Sequence, residues 1–198
     1  MAAMAAQLPT VLILAAGRST RFRAAGGTDK LEEVLLGRRV RDWVTQAAQD
    51  SGLPWHVVEA AHTAHITNAG MGDSIACGVA ATVGAAGWLI LPADLPLIQA
   101  SSLLAVARAL QDHAVVVPLC AGQRGHPVGF GQQAREELLA LRGDGGAASV
   151  VAAWKQRGGV GVLELEDVGC ITDVDTPDAL RAAQALALQM QTRQSVGE

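Results

Sequence analysis

The 198-residue sequence predicts a single-domain, three-layer α/β/α fold, a mostly parallel sheet covered by helices on both faces. Three observations predict it. The first strand-like run, Val11 to Leu14, is apolar at every position, as in a strand buried on both sides. Strand-like and helix-like segments then alternate along the chain, which implies parallel strands joined by covering helices. Half of the residues are apolar, yet only 3% are aromatic and none is Tyr, so the single core is built from Ala, Val and Leu. The domain is expected to span residues 1–198, with 1–9 and about 191–198 as flexible ends.

The elements follow in order. After the first strand comes an Arg/Gly segment, then a helix near 38 to 50. "WHVVEA" reads as a second strand. "GMGDS" opens a helix through about Ala86, with Asp73 or Ser74 as its cap. "WLILPADLP" is a strand ending in a carboxylate. "ASSLLAVARALQD" is a helix with a Ser at its cap. "AVVVPL" is a further strand, and "GQRGHPVGF" a loop or short hairpin. Helical stretches near 132 to 141 and 146 to 156 precede the strand-like "GVGVLEL". "DVDTPDALRAAQALALQ" is a terminal helix with Pro in its first turn.

Charge and composition exclude several classes. A net charge of −4 argues against a general nucleic-acid binder. Seven of the fifteen basic residues lie between Arg18 and Arg41, a local patch suited to a small anion. Cys77, Cys120 and Cys170 match neither a disulfide framework nor a CxxC metal site, which places the chain in a reducing cytoplasm. No segment has the length of a membrane span or the pattern of a signal peptide.

In parallel sheets ligands bind beyond the carboxyl ends of the strands. There Ala15, Ala16 and Gly17 let a ligand approach the backbone. Arg18, Ser19 and Arg21 offer donors to phosphate oxygens, and Lys30 a point charge. The alternative reading of this stretch is a glycine turn with solvated arginines. Asp94, held between Pro92 and Pro96, suits Mg²⁺, which prefers carboxylates and substrate phosphates. Asp175, with Asp173 as alternate, is a second ligand if it meets Asp94, and otherwise a helix cap. Gly70, Gly72 and Ser74 supply amides and a hydroxyl at a helix start.

With these pieces in place, the sequence resembles the molybdenum-cofactor nucleotidyltransferase family over nearly its whole length. "LAAGRSTRF" is similar to that family's LAAGxSxRM signature, with Lys30 as its downstream lysine. "GMGDSIACGV" is similar to GMGxSLxxGV, and "LPADLPLI" to the ADMP metal motif. "RGHPVGF", "LRGDGGAAS" and "DVDTPDAL" follow in the family's order. The resemblance implies a Rossmann-like nucleotidyltransferase fold and an Mg²⁺-dependent enzyme. Nucleotide contacts are implied at Leu14, Ala15, Ala16, Gly17, Arg18, Ser19, Lys30, Gly70, Gly72 and Ser74. Catalytic roles fall to Arg18, Arg21, Lys30 and Asp94, and acceptor contacts to Arg124, His126 and Asp144.

The resemblance also implies the reaction. CMP passes from CTP to the phosphate of molybdenum-bearing molybdopterin, giving the cytosine dinucleotide cofactor and pyrophosphate. Leu14-Ala15-Ala16-Gly17 is similar to the cytidylyltransferase branch, where the guanylyltransferase branch carries LAGG. A client molybdoenzyme is a possible partner. Three departures stand out. "FRAAGGTDK" is longer than the family's MGxxK link. "KLEEVLLG" brings Glu32 and Glu33 near the expected phosphates. Ala148 replaces the Arg of the family's GDxGAR segment. Rival readings are transfer to another small phosphorylated acceptor, use of GTP, or a non-catalytic cofactor carrier.

Overall fold

The structure is a computed structural model that describes residues 8–196. Most of the expected flexible N-terminal end, and the last two residues, lie outside that range. Nine strands are described: β1 (Thr10–Ala15), β2 (Val34–Leu35), β3 (Arg38–Arg39), β4 (Trp55–Glu59), β5 (Gly87–Pro92), β6 (Val115–Cys120), β7 (Gln123–Arg124), β8 (Val128–Gly131) and β9 (Val160–Glu164). The helices are α1 (Thr20–Ala24), α2 (Val40–Asp50), α3 (Met71–Ala81), α4 (Ala100–Ala109), α5 (Arg135–Leu139), α6 (Ala148–Gln156) and α7 (Pro177–Val196).

The main sheet runs β4-β1-β5-β8-β6, with β9 parallel to β6 and β7 a short antiparallel addition to it. β1 pairs in parallel with both β4 and β5, which is why its run is apolar at every position. Alternate β1 residues feed opposite faces. Val11 and Ile13 meet α2, α4 and α7 in one cluster. Leu12 meets α3, α5 and α6 in the other. Fully burying each such Leu or Ile side chain contributes roughly 1.5–3 kcal/mol. The two clusters separated by one sheet are the predicted three layers.

The structure corrects several element boundaries. α3 stops at Ala81 rather than Ala86, because Thr82 leaves helical geometry and turns its hydroxyl back to the Gly78 carbonyl at 2.7 Å. Its N-cap is Gly70, not Asp73 or Ser74. α4 is not capped by its own serine. Its N-cap is Gln99, and Asp167 reaches in to accept from Gln99 N at 2.9 Å and Ser102 Oγ at 2.7 Å. "GQRGHPVGF" begins as the return arm of the expected short hairpin, β7 against β6, and goes further. Its second half is β8, which runs antiparallel between β5 and β6. The sheet therefore remains mostly parallel, with one reversed strand near its middle.

Candidate active site

The carboxyl ends of β1 and β5 and the N-terminus of α3 enclose a cleft of about 670 Å³. That lies within the roughly 300–1,000 Å³ typical of ligand sites. Leu14, Ala16, Gly17 and Arg18 form one wall, with Gly70, Met71 and Ser74 opposite. Asp94, Lys30 and Arg21 line it at the end of β5, and Asp144 closes the far side.

The charged centre of the cleft is a three-residue bridge. β5 ends at Pro92, and the Asp94 carbonyl accepts from Val174 N at 2.9 Å. That main-chain bond places the next residue, Asp175, beside Asp94. Lys30 Nζ lies 2.5 Å from Asp94 Oδ2 and 2.6 Å from Asp175 Oδ1. Arg21 pairs with the other oxygen of Asp175. Asp94 Oδ1 is buried without a hydrogen-bond partner. Burial lowers the Lys30 pKa, but the charge of Asp94 and hydrogen bonds to both carboxylates outweigh it and hold the ammonium above its ordinary value. Burial raises the Asp175 pKa, yet Lys30 and Arg21 overcome this and hold the carboxyl below its ordinary value. Lys30 and Asp175 are therefore each held in the charged form. Asp173 is exposed and takes no part in it.

The long segment before Lys30 is anchored at both ends. Phe22 and Leu31 are buried in the core on either side of it. Ser19 Oγ donates to Asp29 Oδ1 at 2.9 Å, and Leu31 N donates to the same oxygen at 3.1 Å. Arg23 Nε donates to the Thr28 carbonyl at 2.9 Å. Gly27 is pressed on Phe22 so closely that a Cβ there would fall 2.1 Å from the ring. The inserted residues thus form a closed turn that delivers Lys30 into the cleft.

Other expected residues are placed differently. The Ser19 hydroxyl is committed to Asp29, in a residue whose backbone is left-handed (φ 50°), so Ser19 shapes the turn and does not line the cleft. Ala15 faces the core cluster of α2. Gly72 packs under the 142–146 loop, where a Cβ would fall 2.9 Å from the Arg142 carbonyl oxygen. Arg124 is exposed on β7 and does not line the cleft. His126 does not line it either. Burial lowers its pKa against the opposing pull of the Ile90 carbonyl, Asp94 and Asp173, and its Nδ1 is buried without a partner.

The basic patch divides. Arg39 pairs with Asp42 and Glu32, and Arg41 with Glu32 and Glu59. Arg38 lies over the Trp43 ring at 4.7 Å. These cations are held on the outer surface, and Arg18, Arg21 and Lys30 are the basic residues that line the cleft. Glu32 and Glu33 likewise turn outward, to the arginines and to Thr28, so neither opposes a phosphate in the cleft.

The sequence reading missed Asp73 as a site-building residue. One carboxylate oxygen accepts from Gly70 N at 2.9 Å and from Gly143 N at 2.8 Å. It ties the Gly70 wall of the cleft to the loop that carries Asp144. Glycine is needed at 70, since a Cβ would fall 2.3 Å from the Gly143 backbone. The pattern G-x-x-D at a helix start signals the first bond but not the second. Asp73→Ala is expected to loosen Asp144 and the Met71 lip, raising the nucleotide KM roughly tenfold with a smaller change in kcat. Equal KM values in steady-state kinetics would remove this role.

The backbone bonds from Gly70 and Gly143 hold the Asp73 carboxyl below its ordinary pKa. Its stabilising contribution is present above the unfolded value and is lost as pH falls through the lower folded value. Asp73→Asn keeps an acceptor but not the charge. The stability gap between wild type and Asp73→Asn is therefore expected to narrow as pH falls below the ordinary carboxylate range, as read by urea denaturation. A constant gap would show that the charge is irrelevant to the clamp.

Small residues at the end of a central parallel strand, with cations and paired carboxylates facing them, define a nucleotide-handling α/β protein. Residues 11–158 match the MobA-like NTP transferase domain, and the chain belongs to that family. It is a nucleotidyltransferase. It is 29% identical over 162 residues to the purine catabolism protein PucB of Bacillus subtilis, covering 76% of this chain and 75% of that protein. The Mycobacterium tuberculosis protein Rv0371c superposes with a TM-score of 0.75 at 23% identity, over 90% of this chain and 98% of the other. Its manganese complex superposes at 0.62 with 21% identity, over 88% and 97%. Molybdopterin-guanine dinucleotide biosynthesis protein A of Archaeoglobus fulgidus gives 0.61 at 15% identity, over 91% and 99%. These structures share the fold. No helix among the described residues is long and apolar enough to cross a membrane.

Proposed function

We propose that the protein moves CMP from CTP to the terminal phosphate of molybdenum-bearing molybdopterin, in the cytoplasm, releasing pyrophosphate. The observation that carries this reading is the meeting of Lys30, Asp94 and Asp175 in a cleft whose floor is Ala16-Gly17-Arg18. The nucleotide lies along that floor, where small side chains admit its backbone approach. Ser74 and the Gly70 lip face the base. Arg18 and Lys30 hold the phosphates that leave, and Asp144 faces the acceptor. The acceptor phosphate is already an anionic nucleophile, so the protein need supply no covalent intermediate and no general base. Positioning and charge neutralisation suffice.

A divalent cation fits the donor set. Two carboxylates converge, one with a buried oxygen that has no partner. Among the described residues no cluster of three or more His, Cys, Asp or Glu side chains is placed to hold an ion. Mg²⁺ is commonly bound by one or two carboxylates, with phosphates and water completing the shell. Asp94 and Asp175 would hold it, and when bound it would neutralise charge developing on the transferred phosphate. The manganese complex of the Mycobacterium protein, which shares this fold, supports a divalent ion.

The expected nucleotide preference is CTP over GTP, with Ala16→Gly loosening it. Turnover of labelled CTP with molybdenum-loaded molybdopterin, followed by pyrophosphate release, tests the whole reading. Clear GTP preference would refute the nucleotide while leaving the reaction class. A second reading, transfer to a different small phosphorylated acceptor, is favoured by Ala148, which is exposed at the start of α6 where the family pattern has Arg. Pyrophosphate release with a panel of phosphorylated acceptors, and none with molybdopterin, would select it.

A further inference from the structure

The Lys30 ammonium lies between Asp94 and Asp175, the two carboxylates that would hold a divalent cation. We infer that Lys30 is a resident counter-ion that excludes free divalent metal from the nucleotide-free protein, so that metal binds tightly only when a nucleotide draws the ammonium away. This rests on the reading of Asp94 and Asp175 as metal-holding residues and adds the order in which the ligands assemble.

Three features support it. The side chains of Lys30 and Asp94 are each 15% exposed, so water screens the bridge only weakly. The Lys30 backbone cannot retreat, because Leu31 is buried and its amide is tied to Asp29. The side chain itself lines the cleft that Arg18 and Gly17 also line. The direction open to the ammonium is therefore the space in which a triphosphate would lie. A metal ion arriving alone must drive one cation into a cleft already lined by Arg18 and Arg21. A metal arriving with a nucleotide meets a different balance, since phosphate oxygens accept the displaced ammonium. Lys30 thereby couples the two ligands positively, and each strengthens the other by the same factor.

The coupling also explains how the bridge stays assembled before substrate arrives. Two carboxylates held together without a cation repel. The lysine holds both aligned, ready for exchange.

The test uses Mn²⁺ alone, titrated into the full chain without nucleotide and followed by the paramagnetic resonance signal of the free ion. Lys30→Met keeps the apolar stem and removes the charge. It is expected to bind Mn²⁺ about tenfold or more tightly than wild type. Lys30→Arg, which retains a cation, is expected to stay near wild type. Lys30→Met combined with Asp94→Asn is expected to lose the gain. Thermal melting checks that each variant is folded, and Lys30→Gln replaces Lys30→Met if the latter is not. Equal or weaker Mn²⁺ binding by a folded, uncharged variant overturns the inference. If wild type with CTP still binds Mn²⁺ in an Asp94-dependent way, only the counter-ion role is lost. If Mn²⁺ binding is indifferent to Asp94 in every form, the metal-site reading falls with it.

Discussion

Asp94→Asn is expected to yield a folded protein whose nucleotidyl transfer is slower by on the order of a thousandfold. The fold should survive because the substitution is isosteric and the structural bond at this position uses the main chain. The Asp94 carbonyl, not its carboxylate, accepts from Val174 N. What is lost is charge. Asp94 Oδ1 is buried and unpartnered, and Oδ2 faces Lys30, so the side chain serves no helix as a cap. An amide there cannot offer two anionic oxygens to a divalent ion, and it leaves Asp175 alone opposite two cations. Asp175→Asn should be comparably damaging. Asp173→Asn, on an exposed side chain outside the bridge, should cost much less. Circular dichroism establishes folding and a pyrophosphate-release assay the rate. Activity of Asp94→Asn within a few-fold of wild type would remove Asp94 from the chemistry, and a larger loss at Asp173 than at Asp175 would show that the wrong partner was assigned.

Lys30→Ala is expected to lower kcat/KM by roughly tenfold to a thousandfold, with much of the loss in kcat. An ammonium that follows the leaving phosphates interacts more strongly as charge develops on them, and such contacts raise kcat rather than only tightening binding. Arg18→Ala should share part of the loss, and the double variant should be less than additive if both residues grip one phosphate group. The expected fall in turnover on removing Lys30 accompanies an expected rise in affinity for bare Mn²⁺. A lysine that merely braced the fold would not move these two quantities in opposite directions. Steady-state kinetics with both kcat and KM unchanged would make Lys30 a bystander.

Much of this architecture was legible in local pattern. The apolar run of β1 announced a strand buried on both faces, and its pairing with β4 and β5 supplies both neighbours. The small residues after Leu14 and the carboxylate after Leu91 sit at strand ends, where the general rule for parallel sheets puts ligands. The placement of β8 was not legible. "HPVGF" is too short and too interrupted by Pro and Gly to declare a central strand, and only its pairing with β5 and β6 defines it. The start of α4 was misread for a related reason. Its stabilising carboxylate, Asp167, lies 68 residues from Gln99 in the chain. Glu32 and Glu33 looked poised against phosphates by adjacency to Lys30, but the backbone turns them to the outer surface.

The sequence by itself determined the layers, the strand ends that carry chemistry and the residue types available there. These follow from apolar periodicity and from small or charged residues at chain positions a few residues apart, which local physics reads directly. Only the tertiary structure decided which of those residues meet. Lys30 and Asp94 are separated by 64 positions and Lys30 and Asp175 by 145, yet one ammonium bridges both carboxylates. Asp73 closes on Gly143 across 70. Contacts at such separations are set by sheet order and by single main-chain bonds such as Val174 N to the Asp94 carbonyl, which leave no periodic trace in the chain.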